Sequence, residues 1–217
     1  MLARIVYIIH KDLLSDAREQ FSFLSAILYL VTITWVVFKV FGDLSGPTRI
    51  GIYWILLTFT AVNIVTGSFG SVSSRRKLTH YQFYDPFEVL SAKLILNFVK
   101  VMFAGLFLLL LLKVFTEHQL QDPLLFGKTL LLTALGIVAA LTLVSSMTVY
   151  ASNQNSLLTI LAIPLLLPVL LIGMKVSLVS ERMFFDSAVN SNLLMLFGLD
   201  IVMIVLGLIL ITITWKA

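Results

Sequence analysis

The sequence predicts an all-α membrane protein: six transmembrane helices preceded by an N-terminal amphipathic interfacial helix. Three observations carry that expectation. Of 217 residues, 59% are hydrophobic and only 12% charged, about half the charge of an ordinary soluble domain. The mean hydropathy is +1.04. The apolar residues also fall into long runs, and at about 20 residues per membrane helix six runs absorb about 120–130 of them. What remains cannot build a water-facing surface of ordinary size, which excludes a soluble enzyme.

The first twenty residues justify the interfacial helix. Leu2, Ile5, Val6, Ile9 and Leu13 recur at helical spacing and make one apolar stripe. Arg4, Lys11 and Arg18 lie seven apart on the opposite side. Such a helix rests on a membrane surface with its cations outward, available to phosphates or a partner. The same three cations interrupt any continuous apolar core of a cleavable signal peptide, so none is expected.

Span one is expected at about Phe23–Phe41 and span two at about Ile50–Phe69. Between Gly70 and Lys93 runs the longest hydrophilic stretch. It carries Arg75, Arg76 and Lys77, then Leu78, Tyr81, Phe83 and Tyr84. Asp85 before Pro86 is a helix start: an acceptor at the cap, proline at the first position, then Glu88 near the positive end. Basic residues, aromatics and a new helix start together suit a contact surface for a partner. Span three is expected at about Leu94–Phe115, span four at about Leu124–Tyr150, span five at about Leu157–Val179 and span six at about Leu193–Trp215. The whole chain, 1–217, reads as one membrane domain.

Two spans contain exceptions to their apolar pattern. Pro164 and Pro168 stand four apart in span five. Each removes a backbone donor and crowds the carbonyl four residues earlier, so a kinked, movable or re-entrant segment near a pathway is expected there, or a static kink. Asp200 lies inside span six. A carboxylate at that depth must face protein or water. Lys128 and Lys175 are its candidate partners, and packing or a subunit contact is the expected role, because a proton relay needs several such groups in series.

The distribution of Lys and Arg orients the spans. Arg4, Lys11, Arg18, Arg75, Arg76, Lys77, Lys93 and Lys216 fall on one side, eight against six on the other. The asymmetry is strongest early, which predicts both chain ends in the cytoplasm. The net charge of +4 then reflects retention of cytoplasmic cations, and no nucleic acid partner is expected.

Several chemistries are missing. There is no cysteine, which removes disulfides, thiol catalysis and thiolate metal sites. His10, His80 and His118 are isolated, without metal-ligand spacing. No G-x-x-x-x-G-K-[ST] phosphate loop occurs, so the chain cannot hydrolyse ATP alone. It is expected to be a non-catalytic subunit with no catalytic or metal site and no tightly bound cofactor of its own.

Together these features resemble an ABC-2-type permease, and more narrowly the haem exporter protein B (CcmB) family of cytochrome c maturation. The residues that carry the likeness are Lys11-Asp12-Leu13 in the surface helix, Gly67-Ser68-Phe69 and Asp85-Pro86. To these add Leu90-Ser-Ala-Lys93-Leu-Ile-Leu-Asn97 and, above all, Leu161-Ala-Ile-Pro164-Leu-Leu-Leu-Pro168-Val-Leu-Leu. The family usually carries an acidic stretch after span two, where this chain has the basic Ser73-Ser-Arg-Arg-Lys-Leu-Thr. The resemblance implies a type II exporter-like fold in a bacterial inner membrane. It further implies a cytoplasmic ABC ATPase holding ATP–Mg, a haem-handling membrane partner and a periplasmic haem chaperone. On this reading Arg4, Lys11, Arg18, Arg75, Arg76, Lys77, Pro86 and Glu88 are the expected ATPase-coupling residues. ATP hydrolysis in the partner would serve release or transfer of the haem-loaded chaperone. Two other classes remain open: an ABC-2 exporter of a lipid, polysaccharide or drug, and a non-transporting membrane scaffold.

Overall fold

The computed structural model describes residues 6–10, 21–42, 44–70, 85–116, 120–148, 154–182 and 187–214. Arg4, Lys11, Arg18, Arg75, Arg76 and Lys77 lie outside the described residues, as do His80 and His118. The described chain is helical, and its six long helices are each long and apolar enough to cross a membrane. We number them α1 (Phe21–Phe41), α2 (Gly46–Gly70), α3 (Pro86–Thr116), α4 (Pro123–Thr148), α5 (Gln154–Ser180) and α6 (Val189–Thr214). A short helix at residues 6–10 precedes them.

Local signals end and start these helices. Gly42 takes a φ of 62°, a conformation suited to glycine after a helix, and its amide donates to the Phe38 carbonyl at 3.0 Å. Ser45 then opens α2: its carbonyl accepts from the Arg49 amide at 2.9 Å and its hydroxyl pairs with that of Thr48 at 2.7 Å. So tight a turn makes α1 and α2 antiparallel. Asp122 caps α4, its Oδ1 accepting from the Leu125 amide at 3.0 Å, with Pro123 at the first position. The Asp122 amide in turn donates to the Ser180 carbonyl at 3.1 Å, tying the start of α4 to the end of α5.

α3 begins at Pro86, two turns ahead of the span expected from Leu94, so residues 86–93 belong to the helix and not to the hydrophilic loop. The Asp85 carbonyl accepts from the Glu88 and Val89 amides at 3.0 and 3.2 Å, as the Asp-Pro start predicts. Glu88 and Lys93 made these turns look like water-facing sequence, yet both are buried in the bundle. At 31 residues, α3 is about 46 Å long and exceeds a hydrocarbon core of about 30 Å.

α4 is the centre of the bundle. It packs on α5, α6, α3 and α2, while α1 lies outside against α2 and α3. Every residue from Gly136 to Ser146 is buried. The outer surface is the reverse of a soluble protein's: Leu28, Trp35, Phe59, Leu110, Leu171 and Ile209 are all more than half exposed, as lipid-facing side chains should be.

Close approach around α4 depends on two glycines. A Cβ on Gly173 of α5 would stand 2.5 Å from Thr133 Oγ1 and 2.8 Å from its Cγ2. A Cβ on Gly136 would collide with the Asp200 carboxylate and come within 2.8 Å of Val169 Cγ1. Small residues at such contacts let helix backbones meet. Gly173→Ala should therefore cost about 1–3 kcal/mol. Gly198→Ala, where a Cβ meets nothing within 4 Å, should be neutral or stabilise by up to about 1 kcal/mol. Thermal unfolding of both variants in detergent separates the two; equal midpoints would show that the α4–α5 contact is not close-packed.

Candidate functional site

Six alternating crossings put residues 21 and 214 at one end of the bundle, together with the start of α3. Much of the buried polarity gathers in this terminus-side half. Ser68 on α2, Glu88, Lys93 and Asn97 on α3, and Thr142, Ser145, Ser146 and Thr148 on α4 are all buried. Burying such groups is costly unless they find partners, so their clustering marks the part of the bundle where polarity has a purpose.

Some of the partners are clear. Lys93 Nζ donates to the Ser68 carbonyl and lies 3.4 Å from the Ser68 hydroxyl. The lysine near the head of α3 is thus fastened to the end of α2. Read from sequence, Lys93 is a loop cation; in the fold it is an interhelical clamp. Ser146 and Thr148 hydroxyls return to their own helix, to the Leu143 and Val144 carbonyls at 2.7 and 3.0 Å. Other groups have no hydrogen-bond partner among the described residues: Glu88 Oε2, both side-chain amide atoms of Asn97, and the hydroxyls of Thr142 and Ser145. Asn97 was invisible as a site residue in the sequence, because a single amide in an apolar run gives no spacing signal.

The short helix sits on this region. Ile8 is buried against Val89 and Ala92 of α3, with Ile9 packed beside it. Val6, on the apolar stripe expected to meet the membrane, is 63% exposed. The helix therefore turns its Ile8 side towards the bundle, and Val6 is left for the lipid. Pro86 opens α3 directly beneath this contact, and Glu88 is buried rather than presented outward.

Asp200 occupies the middle of the bundle. Eleven residues beyond the start of α6, it lies about 16 Å in, near the centre of a hydrocarbon core of about 30 Å. It is fully buried over Gly136 and beside Val169. Neither carboxylate oxygen has a hydrogen-bond partner among the described residues. The expected lysine partners are not there: Lys128 and Lys175 are both exposed. Asp200 points into the α4 contact, and the two lysines sit at helix ends on outward faces.

The prolines also depart from expectation. α5 runs unbroken from Gln154 to Ser180 through Pro164 and Pro168, which corrects the reading of a re-entrant segment. Pro164 is exposed and Pro168 half-buried, whereas Leu158, Ala162, Leu166 and Val169 face the core. The carbonyls that lose a donor, at Ile160 and Pro164, belong to residues on the outward side, so the packed face of the helix stays intact.

A buried carboxylate without a partner costs more than a neutral group of the same shape. Asp200→Asn should accordingly raise thermal stability by about 1 kcal/mol or more. A lowered unfolding midpoint would mean that Asp200 has a stabilising partner in the folded protein. No protein-family model, no curated protein and no solved structure matches this chain.

Proposed function

We propose that this chain is the membrane permease subunit of an ATP-driven complex of the kind that delivers haem for cytochrome c maturation. A separate cytoplasmic ATPase holds ATP–Mg and supplies the energy, and the work is release or transfer of a haem-loaded chaperone, with haem as cargo. The complex sits in a bacterial inner membrane with the terminus-side end of the bundle in the cytoplasm. The observation that carries this reading is the seat of the short helix on the head of α3 through Ile8, Val89 and Ala92.

A push on that helix has a defined route. Through Val89 and Ala92 it reaches α3, and through the Lys93–Ser68 clamp it reaches α2. Leu90 lies beside Gly207, where a Cβ would be 3.7 Å from its Cδ2 and 3.7 Å from Leu143 Cβ. Thus α6 and α4 feel the same displacement. The polar atoms left unpaired at Glu88, Asn97, Thr142 and Ser145 supply few bonds to be broken when these helices shift, and groups ready to pair after the shift.

Two substitutions separate docking from transmission. Reversing Arg75, Arg76 and Lys77 to glutamate should cut recovery of the co-purified ATPase tenfold or more, about 1.4 kcal/mol. Ile8→Asp should leave ATPase recovery near normal but lower holocytochrome c yield, because the input helix is then detached from α3. Undiminished recovery in the first case, or normal yield in the second, would overturn the corresponding step.

A further inference from the structure

At the end opposite the termini, a cavity of about 500 Å³ opens between α2, α3 and α4, within the size range of small-molecule sites. Its walls are apolar, with Tyr53 and Phe126 at ring-centroid distance 5.4 Å and Leu110 at the edge. Leu110 is 57% exposed, so the cavity opens past it towards lipid. Three charges line the same space: Arg49, Lys113 and Glu181.

The two cations are incompletely paired among the described residues. Arg49 Nη2 lies 3.6 Å from Glu181 Oε2, with the side chains 12% and 2% exposed. That distance is an ion pair but too long for a hydrogen bond. The guanidinium has five N–H donors in a planar fork, and none makes a hydrogen bond among the described residues. Lys113 has no carboxylate within 4 Å among them either. Among the described lining residues two cations stand against one carboxylate, beside a guanidinium without a hydrogen bond and an apolar wall. The cavity lies at the helix ends, at headgroup depth.

We infer that this cavity binds an anionic phospholipid, its phosphate held by Arg49 and Lys113 and one acyl chain lying along Leu110. A phosphate diester carries the single negative charge that the site lacks, and its oxygens match the guanidinium fork. The lateral opening selects a lipid over a soluble anion.

The test uses the full chain purified in detergent and native mass spectrometry. The probes are dioleoyl phosphatidylglycerol, dioleoyl phosphatidylcholine and inorganic phosphate. Phosphatidylglycerol should be retained in preference to phosphatidylcholine, and inorganic phosphate should not displace it. Lys113→Gln, at an exposed position, should weaken phosphatidylglycerol retention roughly fivefold, the effect of one cation at a membrane surface. The double variant Arg49→Gln/Glu181→Gln leaves the net charge of the cavity unchanged and avoids stranding a buried carboxylate. It too should weaken retention, through the lost fork. Equal retention of the two lipids, or unchanged retention in both variants, would overturn the inference. Displacement of the lipid by millimolar inorganic phosphate would overturn the lipid as the source of the anion.

Discussion

In hydrocarbon, apolar area gives helices no reason to associate, because lipid tails are as apolar as leucine. Helices hold together there by close approach, and the bundle depends on the approach made around α4. The stretch Gly136–Ser146 is buried on all sides, and it is composed largely of Gly, Ala, Val, Ser and Thr with three larger aliphatic residues. With Gly173 opposite Thr133 and Gly136 beneath Asp200, α5 and α6 come close enough for dispersion contacts to replace the missing hydrophobic drive. α3 and α2 complete the ring, and α1 is added from outside.

A bundle held by close packing tolerates polar groups inside only where space and partners are provided. This one provides them unevenly. At the end opposite the termini, Trp54 Nε1 donates to Ser177 Oγ at 3.0 Å and the Ser177 hydroxyl donates to the Gly173 carbonyl at 2.7 Å. The Tyr53 hydroxyl donates to the Gly105 carbonyl at 3.3 Å, Asp122 is tied to Ser180, and Tyr53, Trp54 and Phe126 form an aromatic cluster. At the terminus-side end the Lys93–Ser68 clamp shares its half of the bundle with several polar atoms that have no hydrogen-bond partner among the described residues. Unpaired buried groups raise the energy of the state that contains them, and among the described residues the Thr34 and Thr133 hydroxyls are unpartnered as well.

Much of this architecture was legible in the sequence. Span number follows from hydrophobic length, and the start of α3 follows from the Asp-Pro pair at 85–86, whereas the Asp122 cap of α4 emerged only from the fold. Resolving which polar residues are inside was not possible from one chain. Glu88 and Lys93 look like loop residues until tertiary packing buries them, and Asn97 has no periodic partner. The Arg49–Glu181 pair joins residues 132 positions apart, a separation that no local pattern encodes. The six cations expected to meet a partner lie outside the described residues, so the structure speaks to the seat of the N-terminal helix and not to those charges. Pro164 and Pro168 were readable as helix disruptors, but only the fold shows that the helix continues through them, with Pro164 exposed and Pro168 half-buried.

The placement of the prolines off the packed face of α5 bears on both of its ends. On α5 they stand between the region near residue 158, at the terminus-side end, and the fastened stretch at Gly173, Ser177 and Ser180. A helix missing two consecutive-turn hydrogen bonds bends there at lower cost than elsewhere, and it bends without disturbing the buried face that meets α4. If the terminus-side ends of α3, α2 and α6 move together, α5 must follow them at its start while its end stays pinned by Trp54 and Asp122. On that reading the double proline would be where the difference is absorbed. On the proposed function the same sequence would need a close-packed α4 contact, a fastened far end and a compliant α5, and removing any one of them would convert a directed displacement into a loss of packing.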